Sequence, residues 1–121
     1  VKKILIVDDQ KGIRILLDEI FTSEGVKTYL ASNGKEALKI LEETKMDGVL
    51  LDMKLPGMDG KEVLKKMKAL YSDMPVFMMT AYDEGEMRVQ ENSCHADYYF
   101  PKPFNVHELK NTVLELLEKR L

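Results

Sequence analysis

Short uninterrupted apolar runs alternate along the chain with longer stretches in which apolar residues recur every three or four positions. Lys3–Val7 (KILIV), Gly48–Leu51 (GVLL) and Val76–Met79 (VFMM) are the clearest runs. A run that is apolar at both parities fits a strand buried on both faces, as in a parallel sheet. Each stops on polar residues: Asp8 and Asp9 after the first, Asp52 after the second, Thr80 after the third. Lys27–Ala31 is a weaker strand candidate, and Asp97–Phe100 is the last. Ile13, Leu16, Leu17, Ile20 and Phe21 carry the 3.6-residue period of an amphipathic helix, which Gly25 stops. Val63, Met67, Leu70 and Tyr71 repeat that stripe, as do Leu109, Val113, Leu116 and Leu117.

Four helix starts are marked by a cap residue with glutamate three positions on: Asn33/Glu36, Asp59/Glu62, Asp83/Glu86 and Asn105/Glu108. In each, a side-chain oxygen meets an orphan backbone N–H and the glutamate reaches back. The segment after Asp83 has a poor stripe, with Met87, Val89 and Cys94, and reads as the least firmly docked helix. Strand–helix alternation repeated five times predicts an α/β fold, a doubly wound five-stranded parallel sheet. Right-handed crossovers favour the flavodoxin-like strand order 2-1-3-4-5. A single domain over residues 1–121, with no output domain, is expected.

Composition narrows the setting. The length of 121 residues suits one domain with a core of its own. A net charge of −3 offers no basic field, so neither direct nucleic-acid nor membrane binding is expected. The lone Cys94 cannot form an internal disulfide, and no apolar run approaches the roughly 20 residues of a membrane span. A cytoplasmic monomer is expected.

Ligands of open α/β sheets bind beyond the carboxyl ends of the strands. In the predicted fold that edge gathers Asp8, Asp9, Asp52, Thr80 and, following the last strand, Lys102. Singly, each is most simply a turn, cap or surface residue. Jointly, three carboxylates repel one another, so without a cation at least one should have a raised pKa. All-oxygen ligands suit Mg²⁺, with Mn²⁺ as an alternative, better than zinc. A nucleophilic carboxylate, a divalent cation and a lysine describe phosphoryl transfer to aspartate. Asp52 would attack, a metal held by Asp8, Asp9 and Asp52 would offset phosphoryl charge, and Thr80 and Lys102 would contact the phosphoryl oxygens.

The runs IVDDQ (Ile6–Gln10), LLDMKLPGMDG (Leu50–Gly60), MTAY (Met79–Tyr82) and KPF (Lys102–Phe104) resemble the receiver domains of two-component response regulators over essentially the whole chain. The resemblance implies Asp52 as phosphoacceptor, and Asp8, Asp9 and the backbone carbonyl of Lys54 as metal ligands. It also implies Thr80 and Tyr99 as switch residues, Lys102 as the phosphate-binding lysine, and a cis Lys102–Pro103 bond. A sensor histidine kinase and a histidine phosphotransferase are the implied partners. Within the family, DDQKGIRILL (Asp8–Leu17) is most similar to stand-alone receivers of sporulation phosphorelays. That likeness makes Gln10, Gly12, Ile13, Ile15 and Leu16 candidates for a docking patch. The helical stripe alone would instead bury Ile13 and Leu16, leaving Ile15 as the better contact. His95 replaces the usual glycine before the last strand, and Tyr99 stands where the sporulation receiver carries histidine. His107, in the first turn of the last helix, reads as surface. Lys54 and Tyr82, two residues beyond Asp52 and Thr80, are placed to shield the phosphoryl group. On phosphorylation Thr80 would move toward it and Tyr99 would repack.

Three rival readings differ in single features. An aspartyl phosphatase of the haloacid-dehalogenase type needs an acid/base Asp two residues after its nucleophile, where this chain has Lys54. A flavodoxin-like nucleotide or flavin binder cradles phosphate on a Gly- or Ser/Thr-rich first loop, whereas this one is Asp8-Asp9-Gln10. A receiver fragment of a longer DNA-binding regulator would share all of these motifs.

Overall fold

The computed structural model describes residues 1–80 and 96–118. Five strands, β1 (Lys3–Val7), β2 (Lys27–Ala31), β3 (Gly48–Asp52), β4 (Val76–Thr80) and β5 (Tyr98–Pro101), form one sheet. All four pairings are parallel and the order is β2-β1-β3-β4-β5, as the alternation predicts. The described helices are α1 (Lys11–Ser23), α2 (Gly34–Glu43), α3 (Gly60–Leu70) and α4 (Val106–Glu118). The helix expected after Asp83, with Met87, Val89 and Cys94, lies outside the described residues, as do Tyr82 and His95.

The strand pleat divides the core in two. Leu5, Val7, Val49, Leu51, Val76 and Met78 face α2 and α3, packing on Ala37, Leu41, Val63, Leu64 and Met67. Their neighbours Ile4, Ile6, Leu50, Phe77 and Met79 face α1 and α4, meeting Leu17, Phe21, Leu109, Val113 and Leu117. Successive strand residues point to opposite faces, so runs apolar at both parities are what a sheet covered on both sides requires. Edge strand β2 is weaker because its burial is incomplete, with Leu30 40% exposed.

Two stripe positions depart from the reading of the sequence. Leu16 is 40% and Leu70 45% exposed. Helix α1 fully buries only Leu17 and Phe21, with Ile13 packed half-buried at the margin of the core. Leu16 sits on the flank of these residues. Leu70 lies in the last turn of α3, one turn step beyond buried Met67.

Local capping follows the predicted residues with altered bonds. Asn33 and Asn105 each accept from the N–H three residues on, at 2.9 and 3.0 Å. Glu36 reaches back past the cap, its Oε1 accepting from the Ser32 N–H at 2.7 Å and Ser32 Oγ at 2.9 Å. Asp59 accepts from the Lys61 N–H at 3.0 Å. The α1 stop is as read: Gly25 has φ 84°, a left-handed value that strains side-chain-bearing residues.

Asp97, just before β5, ties three elements together. Its Oδ2 accepts from Lys68 Nζ of α3 at 2.8 Å and from the buried Val76 N–H at 2.8 Å, while Lys68 Nζ also donates to the Met74 carbonyl at 2.8 Å. Asp97→Ala is expected to lower stability by about 1–2 kcal/mol, because it orphans a buried N–H. Urea unfolding of the variant beside wild type measures this.

Candidate functional site

The strand order brings the ends of β1, β3 and β4 side by side. β1 pairs with β3 through Val7 and Leu51, and β3 pairs with β4 through Asp52 and Met79. Asp8, Asp52 and Thr80 therefore leave adjacent strands at one edge, and all three are buried. Asp9 is exposed at the mouth of the same group. One carboxylate oxygen from each of Asp8, Asp9 and Asp52 lies within 4.8 Å of the others.

Backbone bonds hold this edge firm. The Asp8 N–H donates to the Ala31 carbonyl at 3.1 Å, and the Met53 N–H to the Met79 carbonyl at 2.9 Å. The Lys102 N–H donates to the Thr80 carbonyl at 2.7 Å, so the lysine is anchored to the end of β4. Its ammonium stands 3.3 Å from Asp8 Oδ2 and 3.4 Å from Asp52 Oδ1. The Lys102–Pro103 bond is cis, as the resemblance implies. Further backbone donors serve the acids: the Gln10 N–H meets Asp8 Oδ1 at 2.9 Å and the Lys54 N–H meets Asp52 Oδ1 at 3.3 Å.

Burial pushes the Asp52 carboxyl up to about 6, with the negative charge of Asp8 adding to the effect. The Lys102 ammonium and the Lys54 N–H pull the other way without cancelling it. The raised carboxylate expected from the sequence is therefore Asp52, although burial rather than repulsion is the first cause and only Asp8 adds repulsion. An all-oxygen set at this spacing fits a divalent cation, whose charge would complete the neutralisation that Lys102 leaves unfinished.

Tyr99 pairs with Met78 across the β4–β5 ladder, so its ring lies on the same sheet face as Met78 and Thr80. It is half-buried against the α2/α3 side of the core, and its hydroxyl accepts from the Ala96 N–H at 3.3 Å. Thr80 and Tyr99 thus lie on one face of the sheet.

A family model for the response regulator receiver domain matches residues 4–114. The chain belongs to this family. It is 49% identical over 116 residues to sporulation initiation phosphotransferase F of Bacillus subtilis, covering 96% of this chain and 94% of that protein. It is 39% identical to the regulatory protein AtoC of Escherichia coli over 98% of its own length, but that match spans only 26% of AtoC. Among solved structures, response regulator protein TrrA of Thermotoga maritima, in complex with Mg²⁺-BeF, is 40% identical with a TM-score of 0.85, covering 96% of this chain and 99% of that one. Family membership implies a kinase or phosphotransfer partner. No described helix is long and apolar enough to cross a membrane.

The docking candidates divide by burial. Gln10, Gly12, Ile15 and Leu16 are exposed, Ile15 at 46%, whereas Ile13 is half-buried against the core. His107 is exposed, as read. One residue beside the site went unread in the sequence. Arg14, in the second turn of α1, donates from Nη1 to the Asp8 carbonyl at 2.6 Å. Its only sequence signal is a position six residues after Asp8, which a helix start between them makes reachable.

Proposed function

We propose that this chain accepts a phosphoryl group from a partner phosphohistidine onto Asp52 and passes it to a downstream histidine phosphotransferase. The observation that carries this reading is a buried aspartate at the end of the central strand, with two further carboxylates within 4.8 Å and a lysine at 3.4 Å. An Asp52 carboxylate oxygen attacks phosphorus as the P–N bond to the partner imidazole breaks. The electron pair leaves with the imidazole nitrogen, which takes up a proton. No general base is needed once Asp52 is ionised. Asp8, Asp9, Asp52 and the Lys54 carbonyl would hold Mg²⁺, with Mn²⁺ as an alternative. That ion supplies charge neutralisation at the phosphoryl oxygens. Thr80 donates to one of these oxygens and Lys102 places its charge at another, so positioning and electrostatics carry the reaction.

Switching follows from the same set, with Thr80 drawn toward the phosphoryl group and Tyr99 repacking behind it. The likeness to sporulation initiation phosphotransferase F, which extends over 94% of that protein, supports a phosphorelay receiver, and we propose that it acts as a stand-alone monomer in the cytoplasm. The second reading, a receiver carried by a longer regulator, draws on the AtoC match, which spans only 26% of that protein. The full reading frame decides between them. Lys54 at the position where a phosphatase needs its acid argues against turnover of phosphomonoesters.

Transfer from a phosphorylated histidine phosphotransferase domain tests the reading, since label should move to wild type and not to Asp52→Ala. The exposed patch on α1 adds a graded expectation. Ile15→Ala should slow transfer by about tenfold, as loss of an apolar anchor does, with the unfolding midpoint unchanged. Unchanged transfer would remove Ile15 from the docking surface.

A further inference from the structure

We infer that Arg14 is a positioning residue for the acidic site, fixing the Asp8–Asp9 peptide so that both carboxylates point at one cation. The inference rests on the divalent-cation reading above and concerns a residue outside the acid cluster. Asp8 is held at every polar group. Its N–H is bound by the Ala31 carbonyl at 3.1 Å, its Oδ1 by the Gln10 N–H at 2.9 Å and its Oδ2 by Lys102 Nζ at 3.3 Å. Its carbonyl oxygen takes the Arg14 guanidinium at 2.6 Å. That carbonyl belongs to the peptide joining Asp8 to Asp9, so its orientation sets where the Asp9 side chain leaves the backbone.

Asp9 itself is exposed, and Arg14 supplies the charged grip on the peptide that precedes it. The grip is braced from a second side. The Arg14 N–H donates to the Gln10 carbonyl at 3.1 Å in the first bond of α1, which fixes the root of the side chain. The guanidinium also lies close enough to Glu36 to act on its carboxyl, which the Ser32 N–H and hydroxyl hold below the ordinary carboxylate range. Arg14 therefore reaches from α1 to the loop after β1 with a half-buried side chain.

Geometry and charge predict opposite outcomes for its removal. Deleting a positive charge near a cation site should strengthen cation binding, whereas freeing the Asp8–Asp9 peptide should weaken it. Partners that orient metal ligands typically contribute about 10–100-fold in affinity, so the positional effect is expected to win. Only one guanidinium nitrogen makes the bond to the carbonyl, so a lysine, with its N–H donors on one nitrogen, is expected to keep both the contact and the charge.

The test is Mg²⁺ titration of the full chain, followed by amide chemical shifts of residues 8–10 and 52–54, beside thermal unfolding in EDTA. Arg14→Ala is expected to weaken Mg²⁺ binding by about tenfold and Arg14→Lys to recover most of it, both unfolding within about 2 °C of wild type. Equal or tighter Mg²⁺ binding by Arg14→Ala would overturn the inference. So would a loss that Arg14→Lys fails to recover, or one matched by a lower unfolding temperature. A wild-type chain whose amides do not respond to Mg²⁺ would overturn the divalent-cation reading itself, and this inference with it.

Discussion

Asp52→Asn is expected to stabilise the metal-free protein by about 3 kcal/mol at pH 7.5 while abolishing phosphorylation. The sign follows from the direction of the shift. The Asp52 carboxyl is raised from 3.8 to about 6, first by burial and then by the charge on Asp8. Between those values the folded chain holds a proton that the unfolded chain has released. Its contribution to stability is therefore fullest below pH 3.8 and is lost as pH rises to about 6. A gap of roughly two pKa units at 1.36 kcal/mol each gives the figure of about 3 kcal/mol. Asparagine keeps the shape and never ionises, so the gap between variant and wild type should be small near pH 4, open through pH 6 and then stay level. Urea unfolding across pH 4–8 in EDTA measures it. Saturating Mg²⁺ should narrow the gap by stabilising wild type more than the variant, since the ion binds the folded site and draws on the Asp52 charge. A constant difference across that pH range would show that Asp52 ionisation carries no such cost.

Gly60→Ala is expected to cost about 3 kcal/mol, the upper part of the overpacking range, through the loop that follows Asp52. A Cβ on Gly60 would collide with the Met53 carbonyl oxygen and stand 2.8 Å from Met53 C and Cα. These are backbone atoms of the residue next to Asp52, and the Gly60 N–H donates to that same carbonyl at 3.0 Å. Relief therefore needs the loop to move, which also loosens the Lys54 N–H held on Asp52. Gly34→Ala makes the useful contrast. Its Cβ would meet the Val63 Cγ2 methyl at 2.5 Å, a side-chain atom that can shift by rotation. Urea midpoints should place Gly60→Ala well below Gly34→Ala, and equal midpoints would contradict the backbone clash.

The sheet and the acid edge were legible because they rest on parity and position. A run such as KILIV, apolar at both parities, has few uses besides a strand covered on both faces, and strand order then carries Asp8, Asp52 and Thr80 to one edge. The helix faces were less legible. Periodicity marks a stripe about 100° wide, but α1 fully buries only Leu17 and Phe21, and the contacts that leave Leu16 outside are tertiary. The caps Asn33, Asp59 and Asn105 were correct while their partners were not always so. Which N–H a short side chain reaches depends on the turn, as Glu36 bonding Ser32 and Asp59 bonding Lys61 show. Arg14, Lys68 and Asp97 were unreadable for one reason: each acts on a backbone group of a different element, and such bonds leave no period or motif in the chain.

The central claim is that Asp52 receives the phosphoryl group with help from a divalent cation. Incubation with a small phosphodonor, with Mg²⁺ or with EDTA, followed by intact mass, tests it most directly. Wild type should gain one labile phosphoryl adduct in Mg²⁺ and little or none in EDTA, and Asp52→Ala none in either. An adduct that persists in Asp52→Ala, or one that forms equally well in EDTA, would contradict the claim.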